Sequence, residues 1–184
     1  MDKSALHVFL AVGEHCELES QAIRATLEYF GIRVTTQWIG RPNDLVQILS
    51  GQENLKEIDY LLLNFHGDHG CFCLPELSNE IYEENEPKGK YLSAEQISYF
   101  ANLKDINVIA SGCTLGENKL ANTILDSGVR TYIAPKGYIN GDSNLMFLTR
   151  FFYEIKKGKS EIQAFKIAQS IDKETLLYKF YNQL

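Results

Sequence analysis

Two histidines and two cysteines crowd one short stretch of the chain. In "LLLNFHGDHGCF", residues 61–72, an apolar run ends in His66, Gly67, Asp68, His69, Gly70 and Cys71, and Cys73 follows. A second apolar run, in "INVIASGCTLGEN", stops at Cys113. These residue types suit metal binding, nucleophilic catalysis or a polar turn. A thiol attacks a carbonyl well only as thiolate, and an unperturbed cysteine titrates near ~8.5. A neighbouring imidazole can accept its proton during attack and later protonate the leaving amine. His66, His69, Cys71 and Cys73 are also ligand types that zinc takes. Their spacing weighs against zinc. Structural zinc sites usually gather two separated ligand pairs, whereas these histidines lie on a glycine turn. In an extended segment Cys71 and Cys73 face one way and Phe72 the other. Asp68 and His69 read as turn or solvent-facing residues.

The elements that must position these groups alternate between strand and helix. "ALHVFLAVG", "IRVTTQWI", "IDYLLLNF", "INVIASGC" and "VRTYIAP" are short apolar or β-branched runs and predict strands. "ELESQAIRATLEYFG" has Leu18, Ile23, Leu27 and Phe30 at helical spacing and Gly31 as a stop. "PNDLVQILSG", "SAEQISYFANL", "ENKLANTILDSG", "LMFLTRFFYEIKKG" and "KSEIQAFKIAQSI" predict further helices. "GCFCL" is a short extra strand, and the tail "KETLLYKFYNQL" reads as helix. The acidic loop "SNEIYEENEPKGK" is the one stretch expected to be mobile. Strands joined by helices imply right-handed crossovers and a mainly parallel sheet covered on both faces. The expected fold is α/β, a three-layer α/β/α sandwich with a mainly parallel central sheet, over one domain spanning 1–184. In such sheets the working site lies at the carboxyl ends of the strands, where both His66 and Cys113 stand.

Bulk properties narrow the partners. The 184 residues suit one well-packed domain, with 45% hydrophobic and 23% charged residues as in a soluble globular protein. A net charge of -6 argues against a nucleic-acid partner, and the cluster Lys156, Lys157 and Lys159 reads as a solvated helix end. No window approaches the ~20 apolar residues of a membrane span. "MDKSALHVFLAVGEHCELES" has too short an apolar stretch for a secretory signal. The four cysteines, Cys16, Cys71, Cys73 and Cys113, are therefore expected as reduced thiols in a cytoplasm.

With these residues in view, the chain resembles the caspase-like cysteine peptidases (the caspase, gingipain and separase group), and within it the CHAT domains common in bacteria. "FHGDHGCF" resembles the pattern His-Gly-x-x-Gly, with Gly67 and Gly70 in the glycine places. "SGCTLG" resembles the Ala/Gly-Cys-x-x-Gly pattern of separases and CHAT domains. The stretch from "NKLANTILDSG" to "FKIAQ" looks like the C-terminal half of a CHAT domain. The resemblance covers roughly 55–172. CHAT domains usually carry Ala where this chain has Gly112, and "APKGY" replaces a Trp-Pro-type turn. Typical members also carry fused repeats or sensors, and none is expected within these 184 residues.

The resemblance implies a cysteine endopeptidase with His66 and Cys113 as a catalytic dyad and no cofactor. The backbone N–H groups of Gly67 and Cys113 would receive the oxyanion, and Gly112 would permit a sharp strand exit that aims the thiol outward. Asp142 stands where CHAT domains place an acidic residue, which would line the first substrate pocket and favour a basic residue. The competing use of Asp142 is as a helix N-cap, since "GDSN" precedes an amphipathic helix. A protein substrate and an activating protein partner in a bacterial defence or stress system follow from the same resemblance. Three rival readings stand beside it: a caspase-like binding module that does not use its dyad, a zinc-binding protein, and a flavodoxin-like nucleotide binder. The last is disfavoured because "AVGEHCELES" lacks a glycine-rich phosphate cradle.

Overall fold

The computed structural model describes residues 6–52, 55 and 57–183. Ala5, at the start of the first expected strand, and Leu184, at the end of the tail, lie outside the described residues. Four apolar runs form fully buried strands, β1 (His7–Val12), β3 (Tyr60–Asn64), β7 (Asn107–Ala110) and β8 (Thr131–Pro135). Their continuous apolar character follows from having both faces covered. With the edge strands β2 (Arg33–Trp38) and β9 (Tyr178–Asn182) they make one sheet of order β2-β1-β3-β7-β8-β9. All pairs are parallel except β8–β9.

Alternation along each strand sends side chains to two separate cores. Phe9, Ala11, Leu61, Leu63 and Val108 pack with α2 (Pro42–Leu49), α3 (Ala94–Ser98) and α4 (Asn118–Asp126). Val8, Leu10, Leu62 and Ile109 pack with α1 (Glu17–Tyr29), α5 (Gly141–Lys156) and α6 (Glu161–Gln169) on the opposite face. The result is the expected three-layer α/β/α sandwich. Among the described residues no helix is long and apolar enough to cross a membrane.

Three local expectations need correction. The tail is not a helix. A short 3-10 turn (Thr175–Leu177) leads into β9, which pairs antiparallel with β8 from Tyr178↔Pro135 to Asn182↔Thr131. Its aromatic run "YKFY" suits a pleated edge better than a helix. The helix expected over 93–103 is confined to α3, five residues opened by a Ser93–Gln96 capping box.

The acidic loop is also anchored by its own charges. Glu86, whose side chain is fully buried, takes Arg41 Nη2 at 2.6 Å and Nε at 3.0 Å. It also accepts the backbone N–H groups of Asn43 and Glu83 at 2.9 Å each. Glu83 pairs with Arg41 Nη1 at 3.0 Å. The Arg41 contact leads the causes that hold the Glu86 carboxyl at about 2. A pKa lowered on folding stabilises above the unfolded value and is lost as pH falls towards the folded one. Arg41→Ala is therefore expected to lower Tm at pH 7 by on the order of 5–10 °C, because it strands a buried carboxylate. The difference from wild type should shrink as pH drops from about 4.5 towards 2, read by thermal melts across that window.

Candidate active site

The histidine-rich stretch folds as a hairpin. β3 runs through buried Phe65 into exposed His66, then β4 (Gly67–Asp68) pairs antiparallel with β5 (Cys71–Cys73). The two-residue loop has positive φ at both His69 (49°) and Gly70 (70°), the pattern of a type I′ turn. His69 is thus a turn residue at the exposed tip. β5 pairs in turn with β6 (Tyr91–Leu92), completing a small second sheet. Phe72 is fully buried, and Cys71 and Cys73 are half-buried on the other face. Among the described residues no three His, Cys, Asp or Glu side chains come together to hold a metal ion, so the four zinc-type ligands do not converge.

Cys113 follows β7 in a tight turn, next to the hairpin. The two strand ends touch backbone to backbone. A Cβ on Gly112 would overlap the Phe65 carbonyl oxygen and lie 3.0 Å from the Gly67 nitrogen. A Cβ on Gly67 would overlap the Cys113 carbonyl oxygen and lie 2.7 Å from Leu115 Cγ. Closeness, not a left-handed conformation, is what Gly112 provides. The alanine usual in CHAT domains would not fit here. The positive φ falls instead on Thr114 (58°), an uncommon place for a β-branched residue. Its N–H donates to the Gly137 carbonyl at 3.0 Å, and its hydroxyl accepts the Gly70 N–H at 3.0 Å, which docks the hairpin on the cysteine turn.

His66 and Cys113 meet different surroundings. His66 faces a cavity of about 420 Å³ between Glu14 and His15 of the β1–α1 turn and Cys73 at the end of β5 with Leu74 after it. Glu76 and Lys90 complete its charged rim, and Cys113 is not among the lining residues. The Cys113 thiol turns towards the segment after β8. It donates to the Ile139 carbonyl at 3.4 Å and accepts the Ile139 N–H at 3.4 Å. Among the described residues no hydrogen bond joins the imidazole to the thiol.

The 136–140 turn that covers the thiol is tethered at Tyr138 and at Asn140. The Tyr138 hydroxyl donates to Asp68 Oδ1 at 2.7 Å, and this bond is the first cause holding the Asp68 carboxyl below its usual range. Glu174 accepts the Asn140 N–H at 2.7 Å and the Asn140 side-chain amide at 2.6 Å. Asp68 is therefore more than a turn residue. Sequence reading missed Tyr138 and Glu174, whose partners lie 70 and 34 residues away.

Asp142 is exposed in the first turn of α5 and holds the Ser143 N–H at 2.8 Å. The N-cap is Asn140, so the capping role expected for Asp142 is corrected. Its carboxylate still sits where the helix dipole favours a negative charge. It is not part of the cavity beside His66.

The other thiols are chemically muted. Burial, with the Glu19 charge adding to it, pushes Cys16 up to about 12, against a lowering contact from the His66 backbone N–H. Burial is also the first cause raising Cys71 and Cys73.

No family model matches the chain, and no curated protein matches it in sequence. Among solved structures it is similar to caspase-1 from Spodoptera frugiperda at a TM-score of 0.54 and 10% identity, over 97% of this chain and 86% of that one. The fold is caspase-like. More distant are Raptor from Chaetomium thermophilum (TM-score 0.43, 10% identity, 91% of this chain and 18% of that one) and a short-chain flavodoxin associated with a non-canonical PDU bacterial microcompartment (TM-score 0.39, 15% identity, 85% and 99%).

Proposed function

We propose that this caspase-like chain is a cysteine endopeptidase of the CHAT type, one domain over 1–184, with Cys113 as nucleophile and His66 as general base and acid. The observation that carries the reading is the backbone contact between the His66–Gly67 and Gly112–Cys113 segments at neighbouring carboxyl ends of a parallel sheet. His66 takes the thiol proton as sulfur bonds to the substrate carbonyl carbon, and the N–H groups of Gly67 and Cys113 receive the oxyanion. As the C–N bond breaks, His66 returns the proton to the leaving amine. Water then hydrolyses the thioester, restoring the thiol and releasing the acid.

The resting form is latent. The thiol is occupied by Ile139, so a protein partner or the substrate itself has to lift the 136–140 turn before imidazole and thiol engage. The setting we propose is cytoplasmic, in a bacterial defence or stress system, with a protein substrate and no nucleic-acid or membrane partner.

A thiol-directed covalent probe tests the assignment, since it should modify Cys113 ahead of Cys16, Cys71 and Cys73. Equal labelling of all four, or none at Cys113 in an active preparation, would count against it. Asp142 is proposed to select basic residues before the scissile bond. Asp142→Asn should then reduce cleavage after Arg and Lys by on the order of 10-fold or more in a peptide library, with little change in melting. A wild type that cleaves after apolar or acidic residues would end that part of the proposal. The second reading, a binding module with an unused dyad, is favoured by the lack, among the described residues, of an imidazole–thiol hydrogen bond. It predicts no hydrolysis even with the turn displaced.

A further inference from the structure

Directly behind the two strand ends runs a chain of buried side-chain hydrogen bonds that the reaction above leaves unused. The Tyr178 hydroxyl donates to Asn144 Oδ1 at 2.9 Å, and the Asn144 amide donates to the Ser111 carbonyl. The Ser111 hydroxyl donates to Asn64 Oδ1 at 2.7 Å, and the Asn64 amide donates to the Ser20 hydroxyl at 2.7 Å. Its members come from five places in the fold: β9, α5, the residue after β7, the end of β3, and α1. None is more than 5% exposed.

The central link lies in a telling place. Leu63 pairs with Ala110, and the Ser111 N–H donates to the Leu63 carbonyl at 3.0 Å, so Asn64 and Ser111 form the next pair in register. Asn64 stands two residues before His66, and Ser111 two before Cys113. One side-chain hydrogen bond thus ties the two strand ends together at equal distance from both reacting groups. Asn144 extends the tie to α5. Its own N–H bonds the carbonyl of Asn140, which ends the turn covering the thiol.

Stability alone does not account for such a chain. Apolar side chains of the same shape bury as well, because a buried polar pair returns little net free energy beyond its desolvation cost. A fully satisfied network gives one geometry instead, since any displacement leaves buried groups unpaired. We propose, on the protease reading given above, that Asn64, Ser111 and Asn144 are positioning residues that set the relative placement of His66 and Cys113.

The test uses the full-length chain and iodoacetamide, following alkylation of Cys113 against pH by mass spectrometry, beside peptide hydrolysis. In a chain whose covering turn is loosened by Tyr138→Phe and Glu174→Ala, so that imidazole and thiol can engage, Ser111→Ala should slow alkylation of Cys113 at pH 7 by on the order of 10-fold and move its pH midpoint, since small misplacements of reacting groups carry large rate penalties. Where hydrolysis is measurable, kcat should fall by a similar factor with KM within about twofold. Tyr178→Phe keeps the ring stacked on Phe147 at 3.6 Å, and should shift the profile the same way by a smaller factor. It carries the test if Ser111→Ala does not fold. Folded variants with the alkylation profile and kcat of the loosened chain would overturn the proposal, leaving the network a purely structural one. Whether the wild type hydrolyses peptides at all decides the protease reading separately. The difference in alkylation between the loosened chain and its variants is readable either way.

Discussion

His66→Ala and Cys113→Ala are each expected to abolish peptide hydrolysis, with kcat/KM falling by about 10³-fold or more. The two losses should be nearly equal, and the double variant should be no worse than either single one, because nucleophile and base act as a unit. Cys113→Ser is expected to behave like Cys113→Ala, since a hydroxyl is far harder to deprotonate than a thiol. Melting temperatures should barely move. His66 is exposed, and Cys113 gives up only two long contacts with Ile139. Loss of activity with retained folding separates a catalytic role from a packing one. A Cys113→Ala variant that still cleaves would remove the nucleophile assignment, and Cys71 and Cys73 are poor substitutes because burial raises both.

Loosening the turn over the thiol is expected to activate the protein. Tyr138→Phe deletes the hydroxyl that reaches Asp68, and Glu174→Ala deletes the carboxylate that holds Asn140. Neither change touches His66, Cys113 or the sheet. The Asp68 tether is solvent-exposed, so each deletion should raise alkylation of Cys113 only several-fold. Together they should give on the order of 10–30-fold, because independent tethers on one segment combine multiplicatively. Removing residues from the acidic loop should do much less for the thiol, since that loop is bound to Arg41 and Asn43 at the start of α2. Stopped alkylation followed by peptide mapping measures both. If the double variant labels at the wild-type rate, the turn does not limit access, and latency has to lie elsewhere.

Much of this protein was legible in its residues. Continuous apolar runs such as "LLLN" and "NVIA" need cover on both faces, which already implies a parallel sheet between helices. The glycine-punctuated "HGDHGCF" announces a turn at the carboxyl end of a strand, and it forms a hairpin whose tip is His69 and Gly70. The pairing of β5 with β6 was not legible, because a loop of seventeen residues, 74–90, separates "CFC" from "YL". The tail was misread for a related reason. "LLYKFY" carries no decisive period, and the open edge of β8 beside it made it a strand.

What the sequence determined by itself is therefore the alternation of the main strands and helices ahead of the tail, and the placement of His66 and Cys113 at strand ends. Burial and backbone preference act over a few neighbouring residues and leave a readable pattern. Only the tertiary structure decided which partner each polar side chain takes. Cys113 bonds a residue 26 positions away, Ser111 one 47 positions away, and Tyr138 one 70 positions away. A hydrogen bond demands heavy atoms about 3 Å apart in a set direction, and no local pattern encodes a distance across the chain. For that reason the residues of the candidate dyad could be named from the sequence, while the bonding of the Cys113 thiol to a tethered turn could not.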